Sequence, residues 1–270
     1  MDIRFVSLAS GSSGNCYYLG TDDYGILIDA GISARQIRKR LASVGIAFES
    51  IIALCITHDH ADHIKGAGYV GETWCIPVYT TQTILNGMNS SYCMTPKIYS
   101  VGHPILKEEP FMLRDFRVTA FEVPHDGTDN VGFRIEAFGR RFVFATDLGH
   151  IPGRVATYLE EAECLVIEAN YDLPMLQQGN YPYYLKKRIA SPSGHMCNGA
   201  TAEFLATRYR PELEAIFLCH LSRENNRPEV AFQTVENRLA QSGIVVGRDV
   251  RLAVLPRYTA SEIYCFTGRE

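Results

Sequence analysis

The sequence lacks long hydrophobic runs, paired cysteines and an excess of positive charge. No stretch approaches the roughly 18 consecutive apolar residues of a membrane span, and the N-terminal apolar stretch is too short for a signal peptide. None of the eight cysteines lies in a CxxC pair, and several sit in apolar runs, so we expect buried thiols and a reducing compartment, the cytoplasm. The formal net charge of −4 excludes binding of nucleic acid by bulk charge alone.

Repeats, low-complexity tracts and Pro/Ser-rich linkers are also missing from the 270 residues. Hydrophobic residues make up 46% and charged residues 21%, which is the balance of a globular chain and excludes a disordered one. We therefore expect a single domain over residues 1–270.

Apolar and alternating stretches predict strands in the first half of the chain and a mixture of strands and helices in the second. The predicted strands span 3–8, 16–19, 25–29, 51–57, 116–123, 131–137, 141–146, 163–168, 215–219, 250–255 and 261–266. The predicted helices span 33–44, 81–88, 154–161, 181–190, 198–209 and 228–241. Ser33 is the expected N-cap of the first helix. The mixture predicts a layered α/β protein.

An HxHxDH pattern follows the apolar strand that ends at Thr57. It consists of His58, His60, Asp62 and His63. Residues two apart point the same way on an extended or looping backbone, and the last two lie where the next helix begins. Imidazoles with a carboxylate are a transition-metal ligand set. A solvated turn would favour Gly, Asn, Asp and Pro over three histidines, so the pattern indicates a metal site.

Three further polar residues follow later strands. His125 comes after the strand 116–123, Asp147 after 141–146 and His220 after 215–219. Because α/β folds collect their sites at strand ends, we expect these side chains to complete the metal site.

The order of these motifs resembles the metallo-β-lactamase superfamily and, within it, the WalJ (YycJ) family of bacterial metal-dependent DNA exonucleases. The resemblance covers essentially the whole chain. Further matching stretches are LASGSSGN (8–15), EANYD (168–172), YPYYLKKRI (181–189) and HLSREN (220–225). One departure is GHMCN (194–198), where the family pattern has Leu-Ser after the histidine, so a hydroxyl that could touch phosphate is missing.

The resemblance implies a four-layer αβ/βα sandwich that holds two divalent metal ions, Zn²⁺ or Mn²⁺, between its sheets. One ion would be bound by His58, His60 and His125, and the other by Asp62, His63 and His220. Asp147 would bridge the two ions. No cysteine falls on a ligand position.

The resemblance also implies hydrolysis of phosphodiester bonds in nucleic acid, namely DNA, in the 5′-to-3′ direction. The catalytic residues would be Asp62, Glu168 and His195. Glu168 would orient His195, which would protonate the leaving oxygen, as in RNase Z-type phosphodiesterases. The structural alternatives are an N-cap role for Glu168 and an ordinary loop position for His195. The 73 residues from Asp147 to His220 leave no room for the inserted domain of β-CASP nucleases.

Substrate-binding residues are predicted in several polar or basic stretches. They are Ser12, Asn15, Lys186, Lys187, Arg188, Asn198, Arg223 and Arg227. The segment 181–188 joins aromatics to three bases, a mixture that can hold phosphates and stack a base. The alternative is a helix with one core face and one solvated face. The loop 10–15 lacks the lysine of a P-loop, which argues against nucleoside triphosphates and leaves a tight hairpin loop as an equal alternative.

Two other function classes stay open at the level of sequence. One is a small-molecule metallo-hydrolase of the thioesterase or lactonase type, and the other is a slow metal-binding regulatory protein. The Glu168–His195 pair favours the nuclease, because thioester cleavage does not need that acid pair. The sequence predicts no membrane contact and gives no indication of a protein partner.

Overall fold

Two mixed β-sheets face each other in the computed structural model, which describes residues 1–269. Each sheet has seven of the strands formed within this range. The strands are β1 (Asp2–Ala9), β2 (Cys16–Gly20), β3 (Gly25–Ile28), β4 (Ile51–Cys55), β5 (Val78–Thr80), β6 (Gly102–Pro104), β7 (Phe111–Leu113), β8 (Phe116–Glu122), β9 (Val131–Ala137), β10 (Arg140–Ala145), β11 (Cys164–Glu168), β12 (Ala215–Cys219), β13 (Arg251–Val254) and β14 (Tyr264–Thr267).

Both sheets combine a parallel and an antiparallel part. The first has the order β14-β1-β2-β3-β4-β5-β6 and the second the order β13-β12-β11-β10-β9-β8-β7. Strands β3 to β6 and β10 to β13 are parallel, and the other pairings are antiparallel. In the register of β11 and β12, Glu168 lies opposite Cys219, so His220 follows directly beside the Glu168 carboxylate.

The α-helices of the described residues are α1 (Ala34–Ser43), α2 (Ala61–Ile64), α3 (Gln82–Ser90), α4 (Gly153–Glu160), α5 (Leu173–Gln178), α6 (Tyr183–Ile189), α7 (Asn198–Thr207) and α8 (Pro228–Gln241). Five of them cover the outer faces of the sheets. Helices α1 and α3 pack their apolar faces on the first sheet, whereas α4, α7 and α8 pack on the second. The side chain of Ser33 caps α1 by accepting from the backbone N–H of Gln36, as predicted.

The alternation along β12 shows how the second sheet is buried on both faces. Phe217 packs between the sheets, where its ring centroid lies 4.8 Å from that of Phe5. Its neighbours Ile216 and Leu218 point the other way, into the core shared with the outer helices. Because both faces are buried, the strand is apolar at every position.

The predicted sandwich of helices and two sheets is confirmed. The sequence patterns do not predict β5, β6 or β7, since a strand of three residues is too short to show an alternation, and they do not predict α5. The strand expected over 51–57 ends at Cys55, which frees the following residues for the loop. Within residues 1–269, no helix is long and apolar enough to cross a membrane.

Candidate metal centre

Loops at the carboxyl ends of parallel strands supply most of the candidate metal ligands. The loop after β4 carries His58 and His60, whereas Asp147 follows β10 and His220 follows β12. Asp29, directly after β3, reaches the same place. Asp29 and His220 have positive φ values of 60° and 53°. Non-glycine residues seldom adopt this conformation, and it concentrates at functional sites.

Three histidines form the first cluster. The candidate ligand atoms of His58, His60 and His125 lie within 4.8 Å of one another. The ring centroids of His58 and His60 are 4.6 Å apart, so these two side chains point the same way, as their spacing predicts. His58 and His125 are buried, whereas His60 is half-buried. The structure thus brings together the residues predicted to hold one ion.

The second cluster consists of Asp62, His63 and His220, with its ligand atoms again within 4.8 Å. Asp62 and His63 lie in α2, and Asp62 Oδ2 is 3.2 Å from His220 Nε2. Asp147 lies between the clusters. Its Oδ2 is 3.1 Å from His63 Nε2 and its Oδ1 is 3.4 Å from His125 Nε2. This is the position that a carboxylate shared by two ions requires.

Hydrogen bonds fix the orientation of four of these imidazole rings. The pairs are His58 Nδ1 with Thr57 Oγ1 (3.0 Å), His63 Nδ1 with Asp29 Oδ2 (2.7 Å), His125 Nδ1 with the Gly194 carbonyl (2.9 Å) and His220 Nδ1 with Glu168 Oε1 (2.8 Å). An acceptor opposite Nδ1 places a proton there and leaves Nε2 to face the cluster as a ligand.

Two buried atoms at the clusters take part in no hydrogen bond among the described residues: His58 Nε2 and Asp147 Oδ2. Burial lowers the pKa of His58 well below its usual value, so this imidazole is neutral. Burial raises the pKa of Asp147, but His220 and His63 outweigh it and hold that pKa well below its ordinary value. Imidazole nitrogens and carboxylate oxygens are the ligand types that divalent transition metals prefer, and two of these buried atoms lack a partner within residues 1–269, so the residues fit such ions.

Glu168 connects the second cluster to His195. Its buried carboxylate lies 2.7 Å from His195 Nδ1 and accepts from the backbone N–H groups of Leu148 and Met196 at 3.0 Å. Neither N–H group begins a helix, so Glu168 is not an N-cap. Burial lowers the pKa of His195, but the Glu168 carboxylate outweighs it and raises that pKa above its ordinary value. His195 keeps part of its side chain exposed at the cleft, as a proton donor requires.

Asp126 connects the first cluster to a cation. Its Oδ1 lies 3.5 Å from both His60 Nε2 and His125 Nε2, and His125 Nε2 is 3.3 Å from His60 Nδ1. Its Oδ2 accepts from Arg188 Nε at 2.6 Å. Burial raises the pKa of Asp126, but Arg188 and the histidines outweigh it and lower that pKa below its ordinary value. Arg188, predicted to bind substrate, therefore lies beside the metal centre.

The structure corrects two of the predicted substrate-binding residues. Asn198 is buried and exchanges reciprocal amide hydrogen bonds of 3.0 and 2.8 Å with Asn226, so it does not face the cleft. Asn15 is fully buried, and its Nδ2 lies 3.0 Å from His63 Nε2 and 3.4 Å from Asp62 Oδ2. It therefore supports the second cluster instead of reaching substrate, because its amide is already engaged within the protein.

The other predicted substrate-binding residues lie at the surface. Ser12, Lys187 and Arg227 are exposed. Arg223 is 3.4 Å from its neighbour Glu224, and Lys186 Nζ donates to the carbonyl of Gln177 at 2.7 Å. These contacts leave the cationic groups accessible to an anionic ligand.

Helix α6 has no buried residue. This rules out the interpretation of segment 181–188 as a helix with one core face. Tyr183 and Tyr184 are 80% and 74% exposed, next to Lys187 and to the Arg188–Asp126 pair. The helix thus presents aromatic rings and cations to solvent at the edge of the metal centre.

Sequence reasoning did not single out Asp29 or assign a contact to Asp126. Asp29 is the last residue of the predicted strand 25–29, and Asp126 directly follows the predicted ligand His125. Those positions were the only available signal. It is weak, because aspartate is common in the loops after strands.

Comparisons with known proteins agree with this geometry. Residues 24–216 match the family profile described as a beta-lactamase superfamily domain. The chain is 34% identical to the exodeoxyribonuclease WalJ of Streptococcus pneumoniae serotype 2 (strain D39) over 249 residues, which is 92% of this chain and 93% of that protein. It is 33% identical to the exodeoxyribonuclease YycJ of Bacillus anthracis over 251 residues, with the same shares covered.

A solved structure supports the fold. The crystal structure of the metallo-β-lactamase fold protein YhfI from Bacillus subtilis matches with a TM-score of 0.69 and 15% identity, over 96% of this chain and 99% of that chain. The family profile, the two similar exodeoxyribonucleases and the shared fold all agree. The chain therefore belongs to the β-lactamase superfamily and, within it, to the family of WalJ and YycJ.

Proposed function

We propose that this protein is a DNA exonuclease that hydrolyses phosphodiester bonds with two divalent metal ions, Zn²⁺ or Mn²⁺. The single domain over residues 1–270, the cytoplasmic location and the 5′-to-3′ direction are parts of the same proposal. The eight cysteines, all unpaired, support the reducing location. The observation that carries the proposal is the Glu168–His195 pair beside two clusters of ligand atoms, in a chain similar to named exodeoxyribonucleases.

The family resemblance and two of the candidate clusters support one division of the ligands. His58, His60 and His125 would hold one ion, and Asp62, His63 and His220 would hold the other. Asp147, whose oxygens face His63 and His125, would be shared. When bound, two such ions activate water at neutral pH and neutralise charge on the phosphodiester oxygens.

His195 donates the proton that the leaving oxygen needs. Glu168 accepts a hydrogen bond from His195 Nδ1–H, so Nε2 faces the cleft. Burial lowers the pKa of His195, but the Glu168 carboxylate outweighs it and raises that pKa above its ordinary value, which favours the protonated ring. Asp62, whose side chain is partly exposed, takes the proton from the attacking water. Such general acid–base steps each contribute about 10²–10⁴ in rate.

Helix α6 guides the nucleic acid. The chain carries a net charge of −4, so attraction to a polyanion has to come from local cations. Lys186, Lys187 and Arg188 supply three of them, and Tyr183 and Tyr184 offer exposed rings on which bases can stack. The proposal also includes Arg223, Arg227 and the Ser12 hydroxyl as substrate-binding groups, since all three residues are exposed.

A gel assay tests the function. The protein loaded with Mn²⁺ or Zn²⁺ is incubated with DNA and RNA that carry a label at the 5′ or the 3′ end. We expect the labelled DNA to become shorter step by step, with mononucleotides as the released product. Cleavage of thioesters or lactones without cleavage of nucleic acid would instead assign a small-molecule hydrolase. Metal binding without turnover of either would assign a regulatory protein.

A further inference from the structure

A pocket of about 600 Å³, lined mostly by residues with polar side chains, adjoins the first histidine cluster. It opens at His60 and Asp126, which form the wall nearest the metal centre. The complete lining comprises Asp59, His60, Thr83, Asn86, Gly87, Ser90, Ser91, Asp126, Gly127 and Thr128. This volume falls within the range of roughly 300–1,000 Å³ that is typical of binding sites for small organic molecules.

One face of α3 forms the long wall of the pocket. Thr83, Asn86 and Ser90 are exposed and follow one another at helical spacing, so their hydroxyl and amide groups share one side. The opposite side of the helix is anchored in the core by Ile84 and Met88, which are fully buried. The wall is therefore held in place by packing. Asn86 Oδ1 accepts from Gln82 Nε2 and Ser90 Oγ donates to the Asn86 carbonyl, both at 2.9 Å. The wall thus offers a ligand the Asn86 NH₂ group, the Thr83 hydroxyl and the lone pairs of Ser90 Oγ.

The pocket floor depends on close contact between α3 and the loop after His125. A Cβ atom on Gly87 would lie 2.1 Å from Asp59 Oδ2 and 2.7 Å from Thr128 Oγ1, so any larger residue would displace these two side chains. Asp59 Oδ1 accepts from the Thr128 backbone N–H at 3.1 Å. At the start of the helix, Thr81 Oγ1 donates to Asp129 Oδ2 at 2.7 Å. These contacts make the pocket a built feature of the fold.

The charge of the lining selects the kind of ligand. No lysine or arginine lines the pocket, and its two carboxylates are engaged, Asp59 by Thr128 and Asp126 by Arg188. A phosphate would find no cation there. An uncharged group with several hydrogen-bonding atoms fits the hydroxyls and the amide better, because these side chains can both donate and accept hydrogen bonds.

We propose that this pocket binds the nucleoside attached to the scissile phosphate, with Thr83, Asn86 and Ser90 as hydrogen-bonding partners of its sugar and base. The proposal rests on the function proposed above. It assigns the phosphate to the metal centre and the neutral part of the same nucleotide to the adjoining pocket. The protein then prefers phosphodiesters that carry a nucleoside over those that carry none.

Two chromogenic substrates test this preference. Thymidine 5′-(4-nitrophenyl phosphate) carries one nucleoside, and bis(4-nitrophenyl) phosphate carries none. The variant Ser90→Trp fills the pocket, and Asn86→Ala removes its amide. Ser43→Trp is the matched control, because Ser43 also ends a helix and its hydroxyl also donates to a carbonyl of the preceding turn.

We expect kcat/KM for the thymidine ester to fall about tenfold in Ser90→Trp. The value for Asn86→Ala should lie between those of the parent and Ser90→Trp. Hydrolysis of bis(4-nitrophenyl) phosphate should stay within about twofold of the parent in all three variants.

A binding measurement gives a second readout. Isothermal titration with thymidine 5′-monophosphate should show weaker binding to Ser90→Trp than to the parent or to Ser43→Trp, whereas inorganic phosphate should bind all three alike. Equal losses on both esters, or unchanged thymidylate binding in Ser90→Trp, would overturn the pocket assignment. Failure of the parent to cleave either ester would count against the proposed function alone, and thymidylate binding would then decide the pocket.

Discussion

Glu168 holds His195 through an oxygen that also holds His220. The distances from Glu168 Oε1 are 2.7 Å to His195 Nδ1 and 2.8 Å to His220 Nδ1. One carboxylate therefore orients both the proposed proton donor and a proposed metal ligand. Changes at Glu168 and at His195 should consequently differ in what they do to the metal.

The first prediction separates chemistry from metal binding. His195→Ala should lower turnover by about 10²–10⁴ and leave metal content near normal, because His195 is outside both ligand clusters. Glu168→Ala should lower turnover as strongly and also lower metal content, since His220 loses its Nδ1 partner. Elemental analysis and steady-state kinetics check both. His150→Ala is the matched control, because His150 bonds only the Pro192 carbonyl and should behave as the parent.

The double variant sharpens this prediction. His195→Ala combined with Glu168→Ala should be little slower than the slower single variant, because the two residues act as one unit. Turnover losses that multiply would mean that the residues act independently.

A second prediction concerns the shared carboxylate. Asp147→Ala should reduce the occupancy of both ions, from about two per chain in the parent, because its oxygens face both clusters. Inductively coupled plasma mass spectrometry after gel filtration measures the ratio. Asp23→Ala, at an exposed turn, is the control. Full occupancy in Asp147→Ala would show that this carboxylate does not bridge.

The third prediction concerns helix α6. Neutralising Lys186, Lys187 and Arg188 together should weaken DNA binding and reduce the slope of log K against log salt by at most about three for duplex DNA. Hydrolysis of bis(4-nitrophenyl) phosphate should hardly change. A triple variant of Arg35, Arg38 and Lys39 on exposed positions of α1 removes the same charge from another surface. If that control weakens DNA binding equally, overall charge and not α6 determines affinity.

A fourth prediction concerns the thiols. Burial raises the pKa of Cys16, Cys55, Cys164 and Cys219 above the ordinary value, so at a given pH their thiolate fraction falls. Titration of the native protein with a thiol reagent should leave these four unmodified, whereas denaturant should expose all eight. Cys75 and Cys265, both exposed, should react first. Peptide mapping after alkylation identifies the sites, and rapid native labelling of Cys219 would contradict the prediction.

The sequence predicts the main ligand clusters because their signal is local. His58, His60, Asp62 and His63 lie within six residues, and a strand end marks each of the later candidates. The pairing of Glu168 with His195 also follows from the resemblance to a known family. Local patterns do not predict which residue forms the hydrogen bond with each histidine ring.

Contacts between distant segments escape the sequence. Asp29 holds His63 across 34 positions, and only the parallel pairing of β3 with β4 brings them together. The burial of Asn198 against Asn226 is equally non-local, and it overturns a role that a motif position suggested. The short strands β5, β6 and β7 were not predicted for another reason, since three residues are too few to show an alternating pattern.

Helix α6 places no side chain in the hydrophobic core, although it borders the metal centre. Substitutions on this helix therefore carry little penalty in folding free energy, because exposed positions away from caps and networks usually change stability by less than about 0.5 kcal/mol. Natural or laboratory evolution can therefore substitute residues of α6 and change which nucleic acid the protein binds, while the histidine clusters keep their geometry. In related chains, substrate preference should diverge faster along this helix than along the strands that carry the ligands.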